Sequence, residues 1–228
     1  MRTMSPRITR AFAAVAAFAS SFAISTANAN PYELSIGGST RALRSTSADA
    51  VTADSLDGGV ATVARALPIS PLPDLEISAE AGVRWGSAHG TMFQTMETTL
   101  DQIDLTLGAR ARYALLSHFA ATAHAAFGPA RTALELDEAT ATAQLSAKGS
   151  SWSAMVEAGA GIEAMANPRT FLECGARFEV SYIEARPAAI TFDSGSGDAS
   201  LQINRMTSSL GHLDASGPLA SLVLWARF

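Results

Sequence analysis

Apolar and polar residues alternate along much of this chain, most strictly from residue 75 onward. In 75–86, Leu75, Ile77, Ala79, Ala81, Val83 and Trp85 fall on one side and Glu76, Ser78, Glu80, Gly82, Arg84 and Gly86 on the other. The same period recurs over 102–113, 119–128, 152–164, 172–182 and 218–228. Successive side chains of a β-strand point to opposite faces, so a period of two predicts strands with one apolar and one polar face. Two weaker stretches precede these six. In 32–42, Tyr32, Leu34 and Ile36 alternate with Glu33, Ser35 and Gly37. In 59–67, Ala61, Val63 and Leu67 oppose Thr62 and Ala64, with Arg65 out of step on the apolar side. Eight strands are predicted in all.

The connections alternate in length. Those at 68–74, 116–118 and 165–169 are short; those at 46–58, 87–101, 137–151 and 186–217 are longer and mostly rich in Ser, Thr, Gly and Asp. This places every short turn at the end of the molecule that holds both termini, a parity that requires an even number of strands. Short turns at one end and long loops at the other mark a membrane barrel. The predicted fold is all-β: a closed eight-stranded antiparallel transmembrane β-barrel, an up-and-down meander. Gly128-Pro129, ending the fifth strand, is expected to form a bulge at the rim, after which the alternation changes parity.

The distribution of charge says which face points outward. The six strong strands carry twelve charges on their polar faces, namely Glu76, Glu80, Arg84, Asp104, Arg110, Arg112, Glu157, Glu163, Glu173, Arg177, Glu179 and Arg227, and none on their apolar faces. A lipid-facing surface must be this clean, because an Arg or Lys at mid-bilayer costs about 2–4 kcal/mol. Gly82, Gly86, Gly108, Gly128, Gly159, Gly161 and Gly175 share the polar face, as expected where a narrow interior must accommodate long side chains. On the apolar face, Trp85, Phe127, Trp152 and Tyr182 fall near the loop end and Tyr113, Phe119 and Phe228 near the turn end. Two aromatic belts are the pattern of the two membrane interfaces.

The front of the chain fits export. Arg2, Arg7 and Arg10 precede an apolar stretch at 11–24, and Ala27-Asn28-Ala29 is a small-x-small cleavage site, so 1–29 reads as a signal peptide and 30–228 as the barrel. Without those 29 residues the chain has 13 basic residues (16 less Arg2, Arg7 and Arg10) and 21 acidic ones, a net charge of −8. That balance argues against nucleic acid as a partner. Cys174 is the only cysteine, so no internal disulfide forms, and Lys148 is the only lysine.

Twelve charges in a narrow interior are expected to pair, with Arg84, Arg110, Arg112 and Arg177 bridging the carboxylates and filling the lumen. His124 falls on the same face and is expected to pack there; His89 and His118 fall in connections. Ser208, Ser209, His212 and Asp214 bring a hydroxyl, an imidazole and a carboxylate close in sequence, the ingredients of a lipid-A deacylase. On an extended strand, however, Ser209 and His212 point to opposite faces, which argues against a nucleophile–base pair. Asp193-Ser194-Gly195-Ser196-Gly197-Asp198 could bind calcium but reads first as a loop tip. No metal site, cofactor or catalytic residue is expected.

The whole of 30–228 resembles the eight-stranded outer-membrane barrels, the family of the OmpA transmembrane domain and the OmpX-like proteins. The resemblance rests on the alternation and on the terminal strand, where Leu222, Leu224 and Phe228 resemble the signal by which such barrels are recognised for insertion. The apolar face departs from the family pattern in being rich in alanine. The resemblance implies a monomer in the outer membrane of a Gram-negative bacterium, with the lipid bilayer, lipopolysaccharide and the barrel-assembly machinery as partners. It implies a structural or surface-interaction role through the long loops and no enzymatic turnover. A small cation-favouring, porin-like channel is the alternative, and a lipid-A-modifying enzyme a more remote one.

Overall fold

A computed structural model describes residues 32–43, 55–69, 71–92, 96–139, 144–166, 173–196 and 207–228. The predicted signal peptide and its cleavage site lie outside the described residues. The elements are β1 (Tyr32–Ala42), β2 (Ser55–Ala66), β3 (Leu75–Met92), β4 (Met96–Leu116), β5 (Phe119–Ala139), β6 (Gln144–Met165), β7 (Glu173–Ala185), β8 (Ala188–Ser196), β9 (Thr207–Leu213) and β10 (Gly217–Arg227). No helix occurs among the described residues. The wall is a closed antiparallel ring of eight, in which β1 to β7 pair in sequence order and β10 pairs with both β7 and β1. Closure abolishes the sheet edge that a membrane-embedded strand could not leave unpaired. The first and last strands close it in unbroken register from Glu33↔Arg227 to Arg41↔Leu219. Leu222, Leu224 and Phe228 point outward and are exposed.

The faces divide as the alternation demands. Leu34, Ile36, Leu105, Leu107, Phe127, Val156, Ile162, Phe178 and Val180 all point outward and are exposed, whereas Glu33, Asp104, Arg110, Glu157, Glu163 and Arg177 are buried inside. An outer surface this apolar is stable only in an apolar medium. The predicted belts lie outward at the two ends. Along β5, Phe119 and Phe127 are eight residues apart, roughly 26 Å of strand at about 3.3 Å per residue, or about 20 Å of height at the usual 35–45° tilt, close to the ≈ 25 Å apolar band of such barrels. Arg65, the residue out of step, does lie on the outer face. It sits at the terminus end with its guanidinium carbon 5.6 Å from the centre of the Tyr32 ring, a cation–π contact that suits an interface.

Two expectations are corrected beyond the Phe127 level. Most of the predicted long loops are strand: β3 and β4 pair as far as Met92↔Met96, β5 and β6 as far as Ala139↔Gln144, and β8–β9 form a hairpin within 186–217. There β8 takes the place of β7 beside β6, pairing from Lys148↔Asp193 to Leu145↔Ser196. Nor does Gly128-Pro129 form a bulge or change the parity. Its register to β6 runs through Gly128↔Met155 and Pro129↔Ala154, and only the ladder to β4 lapses, between Asp104↔Ala130 and Leu107↔Phe127. Proline has no amide to give that ladder. What changes there is polarity. Leu100, Leu134 and Leu136 point inward and are buried, whereas Asp101 and Glu97 point outward into solvent. A wall that leaves the bilayer meets water outside, so its apolar face must turn inward. With Leu43, Leu56, Ala88, Ile190, Leu213 and Ala215 these leucines form an apolar core closing the far end of the barrel.

Candidate functional site

The interior between the two ends is a network of arginines and carboxylates, one contribution from nearly every wall strand. Nearest the termini, Arg227 on β10 bonds Glu33 (2.9 Å) and Glu76 (3.2 Å) and lies 3.7 Å from Glu173. Above it, Arg177 on β7 donates to Glu33 at 2.7 Å and lies 3.5 Å from Glu163. Arg112 donates its Nε to Glu163 at 2.7 Å. Arg110 donates to Glu80 (2.8 Å) and Glu33 (3.3 Å) and its Nε lies 3.5 Å from Glu179. The upper layer joins Arg84 to both oxygens of Glu157 at 2.9 and 2.8 Å, and Arg84 and Arg41 to Asp104. Every predicted lumen charge, Glu76, Glu80, Arg84, Asp104, Arg110, Arg112, Glu157, Glu163, Glu173, Arg177, Glu179 and Arg227, thus lies in this one interior.

Two members were missing from the predicted set. Glu33 is the hub, receiving three arginines, and Arg41 closes on Asp104. Both belong to β1, whose sequence alternation is weak but whose Glu33 and Ser35 already stood opposite Leu34 and Ile36. With them the interior holds eight acids and six arginines. His124, expected to pack on this face, does so: its Nε2 lies 3.2 Å from Glu157 and its Nδ1 3.6 Å from Glu179. Gly159 makes room for it, since a Cβ there would come 2.7 Å from His124 Cε1. Val223 and Trp225 also face inward; Trp225 lies over Gly175, and Arg227 stacks 5.6 Å from its ring centre.

Burial is severe enough to make the pairing obligatory: Glu163 is 0% and Arg177 1% exposed. An unpaired charge there would cost several kcal/mol. Pairing is nevertheless incomplete. Arg177 Nε lies 3.2 Å from Glu179 Oε1 without hydrogen-bond alignment, and Arg177 Nη2, His124 Nδ1 and Thr122 Oγ1 make no hydrogen bond to protein. Beside them a cavity of about 30 Å³ is lined by Ser35, Thr62, Thr106, His124, Glu157 and Arg177. That is room for about two waters. Directly above Glu157, Ala130, Met155, Ile183, Ala185 and Leu219 form an apolar layer, and the far-end core lies beyond it.

Of the residues at 208–214, Ser208 and Ser209 stand in β9 opposite Phe192 and Thr191, and their side chains lie outside the described residues. Asp214 Oδ1 accepts the Ser216 amide at 2.9 Å, closing its own turn, and His212 is exposed. Asp193 stands opposite Lys148 in the β6–β8 ladder, so four of the six residues of 193–198, expected as a loop tip, are strand, and 197–198 lie outside the described residues. Among the described residues no group of three or more His, Cys, Asp or Glu could hold a metal.

No protein-family model matches the chain, and no curated protein matches it in sequence. Solved structures do match. The outer membrane protease OmpT of Escherichia coli superposes with a TM-score of 0.55 at 7% identity, covering 91% of this chain and 99% of OmpT. A major outer membrane protein of Thermus thermophilus gives 0.53 at 12% identity, covering 86% of this chain and 98% of its own. The fold is that of the outer-membrane β-barrels. OprG, an outer membrane protein of Pseudomonas aeruginosa, agrees at a TM-score of 0.50 and 13% identity, over 88% of this chain and 96% of OprG. At such identities the likeness is one of fold, and the role of this outer-membrane-type barrel must be argued from its own interior and surface.

Proposed function

We propose that this chain is a sealed outer-membrane barrel, exported by the leader at 1–29, whose role is structural or one of surface interaction and involves no catalytic turnover. The observation that carries the reading is the doubly closed interior: a buried arginine–carboxylate network, with an apolar core above it. In this reading the termini and short turns face the periplasm, and the strands beyond Phe127 stand outside the cell as a β-walled extension. That extension, rather than flexible loops, is the surface that meets partners. Lipopolysaccharide is the first of them. Arg131, opposite Trp152 on the outer face, and exposed Arg186, whose amide bonds Ala154, stand just above the aromatic belt where lipid phosphates lie. Outward Leu222, Leu224 and Phe228 would present the closing strand to the assembly machinery.

The second reading is a small cation-favouring channel, which the surplus of carboxylates over arginines in the interior favours. Purified protein folded into planar bilayers separates the two. The sealed reading expects no ionic current and a band that shifts on heating in gel electrophoresis. A stable unitary current would overturn it.

A further inference from the structure

The terminus end carries an apolar surface that neither the interior nor the belts explain. The β2–β3 turn reads Pro68-Ile69-Ser70-Pro71-Leu72-Pro73-Asp74, and Ile69 and Leu72 are 59% and 55% exposed. The end of β4, beside it and leading into the β4–β5 turn, exposes Leu115 and Leu116, the latter at 67%. The Ala114 amide donates to the Asp74 carbonyl at 3.0 Å, so the turn and this strand end lie side by side. Four large aliphatic side chains therefore project together at this end, two from a connection, where small polar residues are the norm, and two from the strand end beside it.

The backbone of the first turn is suited to a poorly hydrated place. Pro68, Pro71 and Pro73 have no amide to satisfy. The amides that bracket the turn are used internally, Leu67 to the Ile77 carbonyl at 2.8 Å and Leu75 to the Leu72 carbonyl at 3.2 Å. No described residue from Leu67 to Pro73 is charged. The outward face of the wall begins beside it, with half-buried Leu75 paired to exposed Tyr113 and with exposed Phe119. Near it on the outer face, Arg65 is exposed beside the Tyr32 ring, at the height where a lipid phosphate would lie.

We infer that this turn and the strand end beside it are a membrane anchor: Ile69, Leu72, Leu115 and Leu116 lie in the periplasmic leaflet at the boundary of headgroups and acyl chains, with Arg65 beside a lipid phosphate. The occupant is phospholipid, because the patch adjoins the lipid-facing wall at Leu75, Tyr113 and Phe119. The inference rests on the membrane-spanning reading above. It makes this end of the barrel a foot that fixes depth in the bilayer.

The test uses the full chain with Cys174→Ser, folded into phosphatidylethanolamine–phosphatidylglycerol vesicles, with single nitroxides introduced through Ile69→Cys, Leu72→Cys, Leu222→Cys or His89→Cys. Collision with oxygen, which enters lipid, is compared with collision with a water-soluble nickel chelate. The ratio at 69 and 72 is expected to lie several-fold above that at 89 and near that at 222. A ratio at 69 and 72 equal to that at 89, while 222 reads as lipid, overturns the anchor and leaves the barrel reading intact. A watery ratio at 222 overturns both. Labels at 69 and 72 that are watery in vesicles but shielded from both reagents in native outer membranes assign the patch to a protein and overturn the lipid.

Discussion

Glu33 on β1 accepts a hydrogen bond from Arg177 on β7 at 2.7 Å across 144 residues of sequence, with β10 standing between their strands in the wall. The same carboxylate receives Arg110 from β4 and Arg227 from β10. One acid thus ties three strands to the strand that opens the barrel. Removing Arg177 leaves Glu33 short of its nearest partner and Glu163 held by Arg112 alone. Arg177→Met is expected to cost roughly 3–5 kcal/mol, the toll for breaking a buried ion pair from one side, read as the urea midpoint of the protein folded in vesicles. Arg177→Met with Glu33→Gln should cost less than the two single changes together, because both act on one network. An unchanged midpoint for Arg177→Met contradicts a stabilising network.

Gly159 is tested by size alone. A Cβ at this position would meet His124 Cε1 at 2.7 Å as well as the Ser181 side chain. Gly159→Val should therefore cost about 1–3 kcal/mol through overpacking. His124→Ala in the same chain should return part of that loss by clearing the space. Thermal melting of the two variants and their combination reads the coupling, and equal losses with and without His124 would show that the imidazole is not what the glycine accommodates.

The sequence announced the membrane-facing half of this molecule better than the half beyond it. Where the outer face meets lipid, Leu105, Leu107, Phe127 and Ile162 stand out against inward Asp104, Gly108, Gly128 and Glu163, and the strand is plain. Past Phe127 the period of two continues, but Asp101, Thr99 and Glu135 take the outer face and Leu100, Leu134 and Leu136 the inner one. Composition there reads as loop because the polar residues are the ones water selects, and the inward leucines look like isolated apolar residues. Gly128-Pro129 marked the right place and the wrong event: polarity inverts, parity does not. Glu33 and Arg41 escaped notice because β1 is too rich in Gly and Ser to show a strong face, although their partners across the lumen were all legible.

The inversion makes Leu100 and Leu224 unequal. Leu100 is 0% exposed in the far-end core, while Leu224 is 66% exposed on the outer face. Truncating Leu100 to Ala leaves a cavity among protein atoms and should cost about 2–5 kcal/mol. Truncating Leu224 to Ala leaves a gap that acyl chains fill, so its cost should be markedly smaller. Equilibrium unfolding of both variants in one lipid composition makes the comparison, and a larger loss at Leu224 would contradict the closed far-end core.

Three tryptophans report which face is which. Trp152 is 58% exposed on the outer face, Trp85 lies over Gly59 on that same face, and Trp225 is 2% exposed inside. Single-tryptophan versions, with Phe at the other two positions, should differ sharply in vesicles containing brominated acyl chains. Bromine quenches by contact, so Trp152 and Trp85 should lose much of their emission and Trp225 little. Trp225 should also resist iodide from the bulk water, since Arg227 and the wall around Gly175 enclose it. Strong quenching of Trp225 by brominated lipid, with Trp152 spared, would turn the barrel inside out and place the charged face against the surroundings, as in a soluble calyx.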